Sequence, residues 1–390
     1  MVQSALPRSL LVTVNYPPSI GGIERYYAEL AQHLPKGSIL VSTPPMAGSR
    51  AHDASSSVEV ARPPIPSRQS HKLVFVWIWW MQVLSLCMGR NIRLLHCGNF
   101  TPAGYICRWM KRSRGIPYFI YFHGMDIEKA ARKMARPGWR ARTLRGILDD
   151  AALCFANSRD TKARLMRAGV AEKKIVVLSP GVELDRFRPG PVHSLRAAAF
   201  KGRPTLLTVG RYAKRKGVDL VLRALPSIRR SIPDAQLVVL GRRQEENLAA
   251  LVGELGLEDA VHFFGEVDEE ELPDFYRASS LFVMPAYEEE AEASVEGFGI
   301  VFLEAAASGI PAIGGRSGGI EDAIVEGETG YLVNGRSVEE FIARVVQILG
   351  CEEHRQALGT KARARAVADF DWSTRAQRVA EEMGRATARH

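Results

Sequence analysis

Two glutamates, Glu296 and Glu304, lie eight residues apart in EGFGIVFLEAAASG, and Gly297-Phe298-Gly299 follows the first of them. A strand is predicted to end at Pro285 and an apolar helix to begin at Gly299 or Ile300. Within one helix the two carboxylates would be about 12 Å apart along the axis. With Glu296 in a loop, both can reach one small polar ligand. The backbone N–H groups of Gly297, Phe298, Gly299, Ile300 and Val301 can then form hydrogen bonds with a phosphate or with sugar hydroxyls. The alternative, a capping glutamate and a surface glutamate, does not explain the two glycines.

A second candidate site is the basic run in VGRYAKRKG, where Arg211, Lys214, Arg215 and Lys216 follow a strand that ends at Gly210. An apolar helix with Val218, Leu222 and Leu225 comes next. The run is typical of an exposed helix face, but its position between a strand and a helix N-terminus favours a phosphate clamp. Arg211 would then bind a phosphate through two N–H groups of its planar guanidinium, and Lys216 would bind it through the single charge of its ammonium.

Two weaker patterns occur in the first half of the chain. Gly21 and Gly22 stand between the first strand and a helix that is predicted to begin near Gly22, where a backbone can approach an anion closely. His123 follows the strand YFIYF and precedes Gly124. A tight turn and a structural histidine are the alternatives, but the end of a parallel strand is a common place for ligand contacts.

The elements that must position these residues alternate between strand and helix along the whole chain, which predicts parallel sheets with helices on both faces. Twelve strands are predicted, at residues 10–14, 39–42, 92–97, 118–122, 152–157, 175–180, 205–210, 235–241, 261–265, 281–286, 310–315 and 330–333. The predicted boundaries are a first domain at 1–183, a hinge at 184–204, a second domain at 205–368 and a C-terminal helix at 369–390 that can cross back to the first domain. Residues 43–70 are predicted to form a loop.

The composition is that of a globular protein of 390 residues, with 46% apolar and 24% charged residues. Five cysteines with no CxxC pair indicate buried thiols in a reducing cytoplasm. Residues 1–180 carry 26 Lys and Arg against 10 Asp and Glu, which gives +16, whereas the remainder gives −7. The basic half is consistent with nucleic acid, anionic lipid or phosphorylated substrates, or with a solvated surface that has no partner.

Two stretches bear on a membrane partner. The uncharged run from Leu73 to Gly89 has 17 residues, at the bottom of the range that spans a bilayer. It is predicted to be a buried helix, and an interfacial role for its three tryptophans is the alternative. Residues 128–150 are predicted to form a basic helix in which Trp139 and Leu144 supply an apolar contact to an anionic lipid surface. A solvated helix on an enzyme with a neutral acceptor is the alternative.

Six stretches in register resemble the retaining glycosyltransferases of family 4: GGIER, HGMD, VGRYAKRKG, FFGEV, EGFGIVFLEA and SGGIEDAIVEGETGYLV. The amino-acid sequence of these stretches is most similar to that of the phosphatidylinositol mannosyltransferase branch. The resemblance implies the α/β fold called GT-B, in which two Rossmann-like doubly wound domains with parallel sheets face a cleft. It implies transfer of a hexosyl group from a nucleotide diphosphate sugar to a lipid-linked or glycan acceptor.

The resemblance also implies roles for single residues. Arg211 and Lys216 would hold the diphosphate, Glu304 the ribose hydroxyls, and Glu296 and His123 the transferred sugar. The Gly21–Gly22 loop would close over the phosphates, and Val267 would lie near the base.

Mannose from GDP-mannose is the expected donor group. The alternatives are a UDP-sugar-dependent transferase with a soluble acceptor and a non-hydrolysing sugar-nucleotide epimerase. Two departures from the family keep the donor open: Gly241-Arg242-Arg243 replaces a Gly-x-Gly, and residues 288–294 are acidic instead of glycine-rich.

Fixed cations at the leaving group predict a reaction that uses no metal ion and no cofactor. Nucleic acid is not expected as a partner. Asp369–Asp371 has the form of a metal-binding Asp-x-Asp, but it is far from any predicted strand end and is predicted to be a helix boundary. The expected location is cytoplasmic, with peripheral attachment to the inner face of the cell membrane as an alternative.

Overall fold

The computed structural model describes residues 6–64, 72–241, 247–289 and 294–388. The chain divides into two units. The first consists of Met1–Pro180 and Trp372–His390, and the second of Gly181–Asp371. Each unit has its own parallel sheet, as predicted, and each is described by itself.

The sheet of the first unit has the strand order β3-β2-β1-β4-β5-β6-β7, and every pairing is parallel. Its strands are β1 (Ser9–Val12), β2 (Ile39–Ser42), β3 (Val60–Ala61), β4 (Leu94–Cys97), β5 (Tyr118–Phe122), β6 (Leu153–Ala156) and β7 (Ile175–Val177). Its helices are α1 (Gly22–His33), α2 (Ser49–Ser55), α3 (Lys72–Gly89), α4 (Ala103–Arg114), α5 (Met125–Met134), α6 (Trp139–Asp150) and α7 (Arg159–Arg167). The strands are short apolar runs because helices cover both faces of the sheet.

The sheet of the second unit has the strand order β10-β9-β8-β11-β12-β13 and is also parallel throughout. Its strands are β8 (Thr205–Val209), β9 (Gln236–Leu240), β10 (Val261–Phe264), β11 (Leu281–Met284), β12 (Ala312–Gly315) and β13 (Gly330–Val333). Its helices are α8 (Leu195–Ala198), α9 (Val218–Ser231), α10 (Asn247–Leu255), α11 (Leu272–Ala278), α12 (Ile300–Ala307), α13 (Ile320–Ala323), α14 (Val338–Leu349) and α15 (Glu352–Asp369).

The last helix, α16 (Trp372–Thr387), belongs to the first unit, where it packs against α1. Its apolar stripe of Trp372, Ala376, Val379 and Met383 is buried there. The boundary between α15 and α16 falls within Asp369–Asp371, as predicted for that segment.

The predicted linker differs from the structure. Residues 184–204 lie within the second unit, and Phe187, Ala197 and Phe200 are buried in its core. The carboxylate of Asp274 accepts the backbone N–H groups of His193 and Ser194 at 2.8 and 2.7 Å, which fixes the segment to α11. The Pro, Gly and Arg content that suggested a hinge therefore belongs to an irregular segment that packs on a sheet.

Two further segments differ from their predictions. The predicted loop at 43–70 contains α2 and the two-residue strand β3, and its residues 65–70 lie outside the described part. The predicted helix at 128–150 is two helices, α5 and α6, because Pro137 and Gly138 interrupt it. Leu144 is buried, so it cannot supply the predicted lipid contact, whereas Trp139 is exposed.

The apolar run from Leu73 to Gly89 forms α3, as predicted, but only one face is buried. Trp79 and Val83 are in the core, while Trp77 and Met81 are exposed. Among the described residues, no helix is long and apolar enough to cross a bilayer. All five cysteines are free thiols, and the prediction of burial is wrong only for Cys351, which is exposed.

Candidate active site

The basic run of the second unit is placed at the carboxyl end of β8. Gly210 has φ +131°, a conformation that favours glycine, and a Cβ there would lie 2.5 Å from Nζ of Lys216. Lys214–Lys216 form a short 3₁₀ turn, and Gly217 at φ +73° opens α9. Burial lowers the pKa of Lys216, and the negative charge of Glu296 opposes that effect. The glycines thus let a lysine ammonium lie close against the backbone at the strand end.

Glu296 lies beside these cations, before α12 as predicted. Its Oε2 is 2.7 Å from Nη1 of Arg215, and both side chains are largely buried. Burial raises the pKa of Glu296, but the charges of Lys216, Arg215 and Arg211 outweigh burial and lower it. Glu296 is therefore a carboxylate whose charge is balanced by several cations, and a diphosphate at this place would find the same cations.

Arg215 is a member of this group that the sequence does not single out. Four cations in six residues give no indication of which one a short turn aims at Glu296. Its backbone also takes part, since its carbonyl accepts the N–H of Tyr287 at 2.9 Å. Arg211 is exposed and Lys216 is half-buried.

The backbone of Glu296 is held by the segment Ser317-Gly318-Gly319. Its carbonyl accepts the N–H of Gly319 at 3.0 Å, and a Cβ at Gly318, where φ is +56°, would collide with that carbonyl. The family-like stretch SGGIEDA thus supports the glutamate loop. Residues 290–293 of the acidic loop lie outside the described residues, as do Arg242 and Arg243.

The Gly297–Val301 segment opens α12, whose first residue is Ile300. Gly299 has φ +83°, and a Cβ there would lie 2.7 Å from the ring of Phe302. Phe298 is buried in the core of the second unit, with its ring centroid 6.0 Å from that of Phe370. Its backbone alone is therefore available to a ligand, whereas Gly297, Ile300 and Val301 are half-buried.

Glu304 lies inside α12 and is 3% exposed. The hydroxyl of Tyr276 donates to its Oε2 at 2.7 Å. Tyr276 was not predicted, since nothing in the sequence of α11 links it to the glutamate motif. Val267, which follows β10, is half-buried against the same core, so a contact from its backbone to a base remains a prediction.

In the first unit, His123 follows β5 and is half-buried between Tyr26 and Tyr27, whose ring centroids are 5.1 and 5.4 Å from that of the imidazole. Its Nε2 is 2.8 Å from the hydroxyl of Tyr27, and that hydroxyl donates its one proton to the carbonyl of Gly98 at 2.6 Å. Nε2 must therefore carry the proton that it donates to Tyr27, which leaves Nδ1 as an acceptor. Burial lowers the pKa of His123 to about 4, so the ring is neutral at pH 7.

Asp126 of the HGMD stretch fixes the backbone next to this histidine. Its Oδ1 accepts the N–H groups of His123 and Ile127 at 3.0 and 2.9 Å, and Gly124 has φ +94°. Burial raises the pKa of Asp126 to about 6, although these backbone hydrogen bonds oppose the shift.

Gly21 and Gly22 are exposed at the start of α1. The backbone at Gly21 is extended, and a Cβ there would meet only the flexible side chain of Glu24. The local geometry thus does not require glycine, and close approach of a ligand remains the predicted reason for it.

The comparisons with known proteins cover both units. The family model described as Glycosyltransferase Family 4 matches residues 20–186, and the model described as Glycosyl transferases group 1 matches residues 195–365. A GDP-mannose-dependent alpha-(1-6)-phosphatidylinositol monomannoside mannosyltransferase of Mycolicibacterium smegmatis is 31% identical over 97% of this chain and 99% of its own length. The chain belongs to glycosyltransferase family 4.

A second relative supports the family, and a solved structure supports the fold. The Mycobacterium tuberculosis protein with the same name as the Mycolicibacterium relative is 32% identical over 96% of this chain and 98% of its own length. Among solved structures, Anabaena HepE in complex with UDP has a TM-score of 0.81 at 18% identity. The superposition includes 97% of this chain and 100% of the HepE chain. The GT-B fold that the sequence predicted is thus confirmed. Every candidate residue of this glycosyltransferase lies within one of the two matched ranges.

Proposed function

We propose that this glycosyltransferase moves a mannosyl group from GDP-mannose to a phosphatidylinositol mannoside or a closely related glycolipid. The relatives that match almost end to end at 31 and 32% identity carry that activity in their names. In the second unit, the observation that supports a nucleotide diphosphate sugar is the set of Arg211, Arg215 and Lys216 around Glu296. Three cations around one carboxylate leave a positive balance, which suits a diphosphate.

The chemistry that we propose is transfer with retention of the anomeric configuration. The oxygen of the acceptor hydroxyl bonds to the anomeric carbon as the sugar–phosphate bond breaks, and the hydroxyl proton passes to an oxygen of the leaving diphosphate. Arg211 and Lys216 stabilise the charge that the diphosphate gains. Glu296 would orient the sugar hydroxyls and stabilise the positive anomeric carbon. We assign to Nδ1 of His123 a hydrogen bond from a sugar hydroxyl, because the neutral ring can accept it.

No metal ion and no cofactor are needed in this proposal, since protein cations serve the leaving group. Within the described residues, no group of three or more His, Cys, Asp or Glu is placed to hold a metal ion. Nucleic acid is not proposed as a partner. The acceptor is a lipid, so the enzyme would work at the inner face of the cell membrane.

The test is a donor screen with purified full-length protein. GDP-mannose, UDP-glucose, UDP-galactose and UDP-N-acetylglucosamine are offered with phosphatidylinositol monomannoside, and products are followed by mass spectrometry. We expect transfer from GDP-mannose alone, at an unchanged rate in EDTA, and an α-linked product by NMR.

Each alternative has its own outcome. Transfer from a UDP-sugar would reject the donor, and a changed nucleotide sugar formed without any acceptor would identify an epimerase. Loss of turnover in EDTA that magnesium restores would reject the metal-free reaction.

A further inference from the structure

The first unit carries an exposed apolar surface that the proposed reaction does not use. On α3, Val74, Trp77, Met81 and Met88 follow one another at helical spacing and are 53, 56, 43 and 67% exposed. The sequence from Leu73 to Gly89 contains no charged residue. A solvated helix face ordinarily carries charged side chains, so water is a poor environment for this one.

Helix α4 extends this surface. The ring of Trp109 stacks on that of Trp80 of α3, with centroids 4.0 Å apart and planes inclined by 7°. Trp109 and Tyr105 are one helical turn apart on α4, and both are exposed. The two helices therefore form one continuous surface, which we call the aromatic face and define as Val74, Trp77, Met81, Met88, Tyr105 and Trp109.

Arginines border the aromatic face. Nη2 of Arg114 is 3.9 Å from the sulfur of Met88. Arg140 lies over the ring of the exposed Trp139, 5.4 Å from its centroid. Arg140 is in the first turn of α6, which packs against α4, and its charge opposes the effect by which burial raises the pKa of Tyr105. An apolar surface rimmed by cations that lie against it is charge-complementary to anionic lipid headgroups.

We propose that the aromatic face inserts into the interfacial region of an anionic bilayer. Tryptophan and tyrosine favour the headgroup level, where their rings are buried and their polar atoms stay wet, and the rim arginines would reach phosphates. A second copy of the chain is a poorer partner for this face than a bilayer. A dimer formed through it would bring together two copies of residues 1–180, each with a net charge of +16. This docking does not depend on which nucleotide sugar the enzyme uses.

The experiment is co-sedimentation of the full chain with vesicles of phosphatidylcholine, with or without phosphatidylglycerol. Trp77→Ser combined with Met81→Ser removes apolar area at exposed positions, and we expect a fall in vesicle binding of about ten-fold or more. Met166→Ser is the matched control, because Met166 is 43% exposed on α7 of the same unit. Arg114→Glu combined with Arg140→Glu should abolish the advantage of anionic vesicles at low salt.

A second pair of charge variants separates this surface from the one that the sequence suggested. Arg132→Glu with Lys133→Glu changes exposed residues of α5, and binding should remain within about two-fold of the unaltered protein. Circular dichroism and GDP binding verify that each variant is folded. Failure of the donor proposal would appear as absence of GDP binding in the unaltered protein, without any effect on vesicle binding.

Two results would overturn the proposal. One is vesicle binding that is unchanged by the Trp77 and Met81 substitutions. The other is a dimer of the unaltered chain, formed without lipid, that the same two substitutions convert to a monomer, since the face would then be covered by a second copy.

Discussion

The ammonium of Lys216 lies in the space that Gly210 leaves beside the backbone, and the negative charge of Glu296 balances its charge. Lys216→Ala would remove the charge-assisted contact that we propose to the diphosphate, and a contact of this kind is worth about 1.5–3 kcal/mol. GDP affinity measured by calorimetry should therefore fall by about an order of magnitude or more. Lys214→Ala is the matched control, since Lys214 is exposed in the same turn. Equal affinities for the two variants would mean that the basic run is only a surface.

The ion pair between Arg215 and Glu296 predicts a change in the pH dependence of turnover. Removal of Arg215 takes away one of the cations that lower the pKa of Glu296. Fewer charges then oppose the effect of burial, so that pKa should rise. The acid limb of the kcat profile of Arg215→Ala should therefore move to higher pH, and Arg215→Lys should restore part of the difference. An acid limb at the same pH in all three proteins would show that Glu296 does not control it.

Asp126 predicts a pH dependence of stability. Its pKa is about 6 in the folded protein and near its model-peptide value of 3.8 when unfolded, so the folded state binds more protons between these values. Stability therefore falls as pH rises through this window, and the deficit persists above pH 6.

The substitution Asp126→Asn keeps the acceptor for both N–H groups and removes the ionisation. Its effect on the free energy of unfolding, measured with urea, should be more favourable at pH 7.5 than at pH 5 by about 1 kcal/mol. Asp149→Asn, at an exposed site of the same unit, serves as the control. The same effect at both pH values would contradict the assignment.

At the scale of elements, the two glutamates lie on different parts of one motif, the first in the loop before α12 and the second in the helix itself. Glu296 is in the loop beside the cations, whereas Glu304 is buried inside the helix with Tyr276. We expect Glu304→Ala to weaken GDP binding and Glu296→Ala to spare it but to lower kcat. Calorimetry and initial rates measure the two effects separately. If each variant loses the same factor in both assays, the division of roles is wrong.

The strands were predictable because a buried parallel strand is a short run of β-branched and aromatic residues between turns. All twelve predicted strands exist, and β2, β5 and β13 have the predicted bounds. Among the strands that the structure describes, only β3 was missed, because two residues, Val60 and Ala61, contain no pattern.

Segments without a periodic pattern were harder to predict. Residues 184–204 read as a linker because their packing depends on distant partners such as Asp274. The same limit applies to the candidate site, since the residues that follow strands were found, but Arg215 and Tyr276 were not. Their roles depend on side-chain directions that only the folded chain defines.

For the molecule as a whole, the return of α16 to the first unit joins the end of the chain to its beginning. Trp372 is 2% exposed, and its ring centroid is 5.4 Å from that of Tyr26, which in turn lies 5.1 Å from His123. The guanidinium of Arg375 donates to the hydroxyl of Ser179 at 2.8 Å. The end of the chain therefore helps to hold the histidine pocket through Tyr26.

This arrangement predicts a localised loss of stability in Trp372→Ala. A cavity left by a buried tryptophan costs about 3–5 kcal/mol, and it would open beneath α1. Hydrogen exchange should accelerate in peptides from residues 22–33 and 118–123, while peptides from β8 to β12 change little. GDP binding should persist, because the cation group is in the second unit. Gln377→Ala, on the exposed side of the same helix, should leave exchange unchanged. Uniform acceleration in both units would mean that Trp372 stabilises the chain globally, and no acceleration at residues 22–33 would show that α16 does not support α1.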